Sequence, residues 1–186
     1  MIYFCEMQQK IVLIGGPGTG KTSVLNELIQ RGFYCMPEVS REVTLKAKEQ
    51  GIEQLFLTEP LVFSEMLLEG RELQYLNADK NDNNIVFFDR GIPDIHAYMD
   101  FFKTNYPDTF LNKSKKYQYS KIFHFAPWKE IHTTDNERYE SFEESKTIDK
   151  FLLKAYSELG YKICNVPFGS IKERTDFILN SLSCDI

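Results

Sequence analysis

The chain has 186 residues, a formal net charge of −5 at pH 7, and hydrophobic residues at 42% of its positions. This size and apolar content are sufficient for one domain with a substantial core, and the acidic balance argues against nucleic acid or an anionic membrane as the main partner. The cysteines and histidines show no metal-ligand spacing, and the opening "MIYFC" is too short for a signal peptide or a membrane span. We therefore expect a single cytoplasmic domain over residues 1–186.

Five short runs rich in β-branched or aromatic residues predict strands, and their lack of polar alternation indicates burial on both faces, as in a parallel sheet. These runs span residues 10–15, 33–36, 85–89, 121–126 and 161–166. Helical patterns lie between them, the longest at about 58–78 and 141–159. Ser170 and Glu173 predict a capping box at the start of the last helix. Alternating strands and helices predict a three-layer α/β/α sandwich.

The first predicted strand leads into "GGPGTGKTS", which fits the G-x-x-x-x-G-K-[ST] pattern of a phosphate-binding loop rather than a plain glycine-rich turn. Glycines let successive N–H groups turn inward around an anion, and the N-terminus of the following helix adds partial positive charge. Lys21 is expected to reach the β- and γ-phosphates and the Thr22 hydroxyl to hold Mg²⁺. The predicted nucleotide-binding residues are Gly15, Gly16, Pro17, Gly18, Thr19, Gly20, Lys21, Thr22 and Ser23.

The second strand is followed by "PEVSRE", at the carboxyl edge of the sheet where ligands of such folds bind. Glu38 follows a proline that fixes the chain direction. Arg41, three residues later, is expected on the same side of a helical turn. Both are substrate-side candidates, and an exposed loop acid is the alternative interpretation of Glu38.

A helical insertion on the substrate side is predicted at about 52–80, rich in Phe, Leu and Met. We interpret its apolar residues as core rather than as an acceptor pocket: Phe63, Met66, Leu67 and Leu68. Arg71 and Gln74 are expected on a face of this helix from which they could reach a substrate.

The third strand ends in "FFDRGIPD", an acid at the tip of a hydrophobic strand. This is the form of a second magnesium-binding element, so Asp89 is expected opposite Thr22, with a capping role at the helix begun by Pro93 as the alternative. Arg90 is suited to bidentate contact with a phosphate or a carboxylate. Asp94 is expected to orient Arg90, to bind a substrate hydroxyl or to cap the helix.

A lid is predicted at about 130–145 from the polar stretch "HTTDNERYESFEES". Arg138 within it is expected to stabilise charge on the transferring phosphoryl group when the lid closes, with a surface ion pair as the alternative. Trp128, the only tryptophan, either stacks on a base or packs half-buried.

Together, "GGPGTGKT", "PEVSRE", "FFDRGIPD" and the later "DNERYE" resemble the small stand-alone AAA-domain family of kinase-like ATPases, which includes the ribosylnicotinamide kinase domain of NadR-type proteins. More distantly, the chain is similar to thymidylate and deoxynucleoside kinases. The resemblance implies a parallel sheet of order 2-3-1-4-5, ATP with Mg²⁺, and phosphoryl transfer to a small acceptor. It also implies that Glu38 accepts the proton of the attacking hydroxyl and that Pro167 and Phe168 line the adenine side.

Two functions remain open at this stage. The first is a kinase acting on a small nucleoside- or nucleotide-like acceptor, and the alternative is a switch protein whose nucleotide state controls a partner. A GTPase is disfavoured because no N-K-x-D stretch occurs. The catalytic candidates are Lys21, Glu38, Asp89, Arg90 and Arg138, and the substrate-side candidates are Glu38, Arg41, Arg90 and Asp94.

Overall fold

Five parallel strands form one sheet in the part of the chain that the computed structural model describes, which comprises residues 8–49, 52, 55–132 and 140–183. The strands are β1 (Gln9–Ile14), β2 (Tyr34–Met36), β3 (Ile85–Asp89), β4 (Lys121–His124) and β5 (Ile163–Asn165). Their order is β2-β3-β1-β4-β5, and all neighbouring pairs are parallel. The predicted order 2-3-1-4-5 is confirmed.

Eight helices flank this sheet within the same residues. They are α1 (Lys21–Gln30), α2 (Val39–Glu49), α3 (Leu55–Thr58), α4 (Pro60–Ala78), α5 (Pro93–Phe101), α6 (Thr109–Lys116), α7 (Phe142–Glu158) and α8 (Ile171–Ser183). No helix of the described residues has the length and apolar character needed to cross a membrane.

Both faces of the central strand are buried, which explains why the sequence of β1 shows no polar alternation. Ile11 and Leu13 pack against α1 and α8 on one face. Val12 and Ile14 pack on the other face, in a cluster that includes Ala78 of α4 and Tyr156 of α7. Helices on both sides of one sheet confirm the three-layer sandwich.

A third cluster of apolar side chains joins α2, α4, α5 and α6. Its buried members include Val39, Val43, Leu67, Ile95 and Phe110. This cluster fixes the helices that stand beside the carboxyl ends of β2 and β3, so it shapes the walls of the site described below.

The register aligns the ends of three strands at one edge of the sheet. Leu13 of β1 lies opposite Asp89 of β3, and Met36 of β2 lies opposite Phe88 of β3. The loops that follow these strands, with Lys21, Glu38 and Arg90, therefore begin next to one another.

The capping box predicted for the last helix is present. The Ser170 N–H donates to Glu173 Oε2 at 2.8 Å, and the Ser170 hydroxyl accepts from the Glu173 N–H at 3.3 Å. Ser141 and Glu144 make the same reciprocal bonds at the start of α7. Both boxes satisfy N–H groups that a helix start leaves without partners, so both helices begin within a residue of the predicted position.

Three predicted strands are longer than the observed ones: β2 begins one residue later than predicted, and β4 and β5 end earlier than predicted. β4 ends at His124 and β5 at Asn165, whereas the apolar runs continue to 126 and 166. Sheet-like bonding does continue for one more residue, since the Phe125 N–H donates to the Ile14 carbonyl at 2.8 Å. The prolines that follow, Pro127 and Pro167, lack the N–H needed to extend it.

Candidate active site

At its glycines, the loop between β1 and α1 packs so closely on its neighbours that a side chain would not fit. A Cβ at Gly15 would lie 2.4 Å from the Phe125 carbonyl oxygen, and one at Gly18 would lie 2.7 Å from His132 Nδ1. Both glycines have positive φ, 144° and 72°, a region that L side chains rarely adopt. The glycine spacing therefore serves close packing and backbone curvature at once.

Lys21 is buried at the start of α1, with its ammonium inside the loop. Its Nζ donates to the carbonyls of Gly15 and Gly16 at 2.7 and 2.9 Å and to the Thr19 hydroxyl at 3.3 Å. Burial, reinforced by the nearby Arg90 guanidinium, lowers the pKa of Lys21 to about 8. An anion bound in the loop would favour the charged form, so phosphate binding and Lys21 protonation support each other.

Thr22 and Asp89 face each other across the strand tips, as the sequence predicted. The Thr22 hydroxyl donates to Asp89 Oδ2 at 3.4 Å, and Asp89 is 4% exposed. Burial, with the Glu38 carboxylate nearby, raises the pKa of Asp89. The alternative capping role of Asp89 is wrong, because the N-cap of α5 is Ile92.

The donor set at Thr22 and Asp89 fits Mg²⁺. A carboxylate and a hydroxyl are hard oxygen ligands, and Mg²⁺ completes its shell with water and substrate phosphates. No group of three or more His, Cys, Asp or Glu side chains placed to hold an ion occurs in residues 8–49, 52, 55–132 and 140–183, so the protein alone would supply only a partial shell.

Glu38 lies at the start of α2 and points into the same cleft, with 12% of its side chain exposed. Its Oε1 accepts from Arg71 Nη2 at 3.0 Å and from the Ser40 N–H at 3.2 Å, while Oε2 pairs with Arg90 Nε. Burial raises the pKa of Glu38, but the two guanidinium groups outweigh it and the net shift is downward. Glu38 is therefore an ionised, paired carboxylate, and its alternative interpretation as an exposed loop acid is wrong.

Asp94 holds Arg90 from the other side. Asp94 Oδ1 accepts from Arg90 Nη1 at 3.3 Å, and Oδ2 accepts from the Gly91 N–H at 3.0 Å and the Tyr156 hydroxyl at 2.6 Å. Asp94 is 1% exposed and does not occupy the N-cap of α5. Of its three predicted roles, the structure shows the orientation of Arg90, and the N-cap role is wrong.

Arg90 has φ of 73°, an unfavourable backbone conformation for a residue with a side chain. Its guanidinium lies between Glu38 and Asp94. The Arg90 Cζ also lies 5.3 Å from the centroid of the Tyr98 ring. Strained residues of this kind concentrate at functional sites, where surrounding contacts maintain them.

Arg71 of α4 completes the cluster, although the sequence indicated only that it lay on a usable face. It is 4% exposed, and its Nη1 donates to the Gly91 carbonyl at 2.6 Å. Arg71 thus ties α4 to Glu38 and to the loop after β3. The signal in the sequence is an arginine between buried helix positions, Leu67 and Leu68 before it and Ala78 after it.

A cavity of about 1130 Å³ connects these groups and extends to both sides of them. Its nucleotide side is lined by Pro17, Gly18, Thr19, Gly20, Lys21, Thr22, Ser23, Trp128, Ile131, Gly169, Ser170, Ile171 and Arg174. Its other side lies between α2, α4 and α5 and includes Glu38, Arg41, Phe63, Leu67, Arg71, Arg90, Ile95, Tyr98, Met99 and Phe102. Phe63 and Leu67, predicted as core only, thus contribute to both the core and the cavity wall.

The prediction for the adenine side needs correction. Pro167 and Phe168 are absent from the cavity lining, which instead includes Gly169, Ser170 and Ile171. Phe168 is 56% exposed and stacks on Trp128, with ring centroids 4.9 Å apart. Phe168 thus faces outward, and the residues that line the cavity are the three that follow it.

Arg174 of α8 is a site residue that the sequence analysis missed. It is buried, its Nη2 donates to the Thr19 carbonyl at 2.8 Å, and its Cζ lies 4.6 Å from the Phe125 ring centroid and 5.7 Å from that of Trp128. A detectable signal exists, because Arg174 shares the four-residue spacing of the buried Ile178 and Leu182. An arginine on an apolar helix face needs a partner, and here that partner is the phosphate-binding loop.

Part of the predicted lid, including Arg138, lies outside the residues that the structure describes. The C-terminal part of the predicted lid, residues 140–145, contacts the phosphate-binding loop, since the Ser145 hydroxyl donates to the Pro17 carbonyl at 3.2 Å. Glu140 and Glu144 line the cavity, and Arg41 lines it from an exposed position on α2.

Comparisons with known proteins agree with this geometry. A family model described as an AAA domain matches residues 10–174. Deoxyadenosine kinase from M. mycoides is similar in structure with a TM-score of 0.70 and 14% identity, covering 95% of this chain and 100% of that chain. Thymidylate kinase from Candida albicans is similar with a TM-score of 0.66 and 14% identity, and the match covers 96% of this chain and 92% of that chain.

A NadR protein in complex with NAD and AMP-PNP is also similar, with a TM-score of 0.72 and 18% identity. The match covers 95% of this chain and 49% of that protein, so this chain spans about half its length. A comparison with curated proteins found no similar sequence. At these identities the structural likenesses show a shared kinase-like fold.

Proposed function

Because the chain belongs to the AAA-domain family whose model spans residues 10–174, we propose that it transfers the γ-phosphate of ATP to the hydroxyl of a small nucleoside- or nucleotide-like acceptor, with Mg²⁺ as cofactor. The observation that carries this proposal is the second half of the cavity. It continues from Lys21 and Asp89 past Glu38 into a compartment walled by α2, α4 and α5. A protein that only bound and hydrolysed a nucleotide would not need this compartment.

In the proposed reaction, Glu38 takes the proton of the acceptor hydroxyl. The hydroxyl oxygen forms a new bond to the γ-phosphorus, the bond from that phosphorus to the β,γ-bridging oxygen breaks, and ADP leaves. A carboxylate has about four lone-pair positions, so Glu38 can accept from an acceptor while it keeps Arg71 and Arg90. The strength of its pairing makes it a weak base, which is adequate because phosphoryl transfer passes through a loose transition state.

The cationic groups around the transfer point would stabilise charge that develops on the phosphoryl oxygens. Lys21 reaches the loop interior from one side and Arg90 lies between Glu38 and Asp94 on the other. Their fixed positions avoid reorganisation during the reaction, which is how preorganised charges lower a barrier. A magnesium ion held by Thr22 and Asp89 would neutralise phosphate charge.

The direct test is ATP consumption, measured alone and then with a panel of nucleosides, nucleotides and ribosylnicotinamide. Strong stimulation by one compound, with a phosphorylated product, supports the kinase. Slow turnover that no acceptor changes would instead favour a nucleotide-dependent switch.

A further inference from the structure

The acceptor side of the cavity is the compartment between α2, α4 and α5, and the paired charges of its buried side chains balance. Among the described residues, the buried cations there are Arg71 and Arg90, and the buried anions paired with them are Glu38 and Asp94. Asp89 is a further buried anion, which faces Thr22 and also acts on Arg90. Arg71 pairs with Glu38 at 3.0 Å, and Arg90 pairs with both Glu38 and Asp94. Each guanidinium thus already has a carboxylate partner, and the cluster has no surplus positive charge for a phosphate of the acceptor in addition to the transferring phosphoryl group.

A phosphate group placed at this cluster would meet Glu38 as a like charge. The dianion could displace the carboxylates from the arginines only by leaving the buried Glu38 and Asp94 without their cationic partners, which is strongly unfavourable. If the pairs stayed intact, the phosphate would lie beside the Glu38 carboxylate, and such like-charge contact is penalised in a water-poor site. A neutral hydroxyl meets neither cost, and it can donate directly to Glu38.

Beyond the cluster the cavity becomes apolar and aromatic. Leu67, Ile95 and Met99 are buried at its wall, and Phe63, Tyr98 and Phe102 add aromatic surface. Burial raises the pKa of Tyr98 to about 12, so its ring stays neutral. The buried Ser64 contributes a hydroxyl to this wall. A flat ring with apolar faces and a few polar edges fits such a wall. The charged side chains that line this side away from the cluster include Arg41 and Lys48, both at the exposed rim on α2, and Glu140, whose charge acts on Tyr98.

We infer that the acceptor is an uncharged nucleoside-type molecule, with a hydroxyl that meets Glu38 and a flat ring among the apolar residues of α4 and α5, rather than a phosphomonoester. This inference rests on the proposed phosphotransfer and restricts the class of molecule that accepts the phosphoryl group.

The first experiment offers the full-length protein matched pairs, each a nucleoside and its own 5′-monophosphate, with ATP and Mg²⁺. Mass spectrometry identifies the phosphorylated product. Transfer to the nucleosides supports the inference. Transfer to the monophosphates alone overturns it and leaves the phosphotransferase proposal standing. If no member of either series is phosphorylated and ATP turnover never responds, the proposed function fails and the inference fails with it.

The second experiment measures binding, so it is independent of turnover. Glu38→Gln removes one negative charge from the cluster, and the ratio of monophosphate affinity to nucleoside affinity should rise by roughly tenfold or more. Glu42→Gln is the matched control, because Glu42 lies on the same helix, exposed and paired with Lys46. Its ratio should equal that of the wild type. Titrations in the presence of a non-hydrolysable ATP analogue give both ratios, and an unchanged ratio in Glu38→Gln would overturn the charge-balance argument.

Discussion

Glu38 at the start of α2 and Arg90 at the tip of β3 form an ion pair, and the same carboxylate accepts from Arg71 of α4. Three elements from different parts of the sequence therefore meet at one buried carboxylate beside the phosphate-binding loop. This meeting point has consequences for stability, which depends on the charge of Glu38, and for catalysis, which depends on its position.

Stability should depend on the ionisation of Glu38. The net shift lowers the pKa of Glu38 below its ordinary 4.5, because the arginines outweigh the effect of burial. A carboxylate of this kind stabilises the fold above its unfolded-state pKa, and the contribution is lost as the pH falls through the folded-state value. Glu38→Gln should thus be less stable than the wild type by roughly 1–3 kcal/mol at pH 7. The difference should shrink as the pH falls below about 4.5.

Denaturant unfolding of both proteins at a series of pH values measures this difference. Comparing the two proteins cancels the titration of the other acids. A difference that stays constant down to pH 3 would contradict the paired, ionised state of Glu38.

Lys21→Ala should abolish productive nucleotide binding. Among the described residues, the substitution removes the only ammonium inside the phosphate-binding loop. We therefore expect the rate of phosphoryl transfer to fall by roughly 10²–10³-fold. Circular dichroism should remain that of the folded protein, since the core clusters do not include Lys21. Lys46→Ala, at an exposed position on α2, serves as the control. Wild-type activity in Lys21→Ala would refute the phosphate-binding loop assignment.

Asp89→Asn should raise the magnesium concentration needed for half-maximal rate. The amide keeps the shape and a hydrogen bond to Thr22 but loses the charge that a hard cation prefers. The melting temperature should not fall, because burial makes the charged form of Asp89 costly in the free protein. Asp82→Asn, in the exposed loop before β3, provides the comparison. An unchanged magnesium curve would remove Asp89 from the metal site.

Arg174→Gln should weaken nucleotide binding while the acceptor side is unaffected. The substitution removes the bond to the Thr19 carbonyl and the contacts with Phe125 and Trp128. The expected stability loss is about 1–3 kcal/mol, from an unpaired buried carbonyl and lost packing. Calorimetric titration with an ATP analogue tests this, with Lys172→Gln at an exposed α8 position as the control. Equal affinities for the two variants would show that Arg174 supports the fold alone.

The sequence predicted those parts of the site that depend on local spacing. The phosphate-binding loop, the acid at the tip of β3 and the capping box at Ser170 are each defined by residues close together in the chain. A local sequence pattern is therefore sufficient to predict them. The sheet order came from the resemblance to known kinases, since strand neighbours are not determined by local spacing.

The sequence could not predict contacts between distant helices. Arg71 and Arg174 reach the site from α4 and α8, and their partners, Glu38 and the Thr19 carbonyl, lie far away in the chain. Only the packing of whole helices determines these pairs. The prediction that Pro167 and Phe168 line the adenine side failed for a local reason. The loop after β5 turns outward at Phe168, and a strand pattern does not specify that turn.

The central claim is that Glu38 accepts the proton of an acceptor bound beside the phosphate-binding loop. The most direct measurement compares the steady-state rate with the identified acceptor for wild type, Glu38→Gln and the control Glu42→Gln, together with their affinities for an ATP analogue. Loss of the proton acceptor should lower the Glu38→Gln rate by roughly 10²–10⁴-fold, while its ATP affinity and both properties of Glu42→Gln stay near wild type. A Glu38→Gln protein that keeps its turnover, or that loses ATP affinity instead, would contradict the claim.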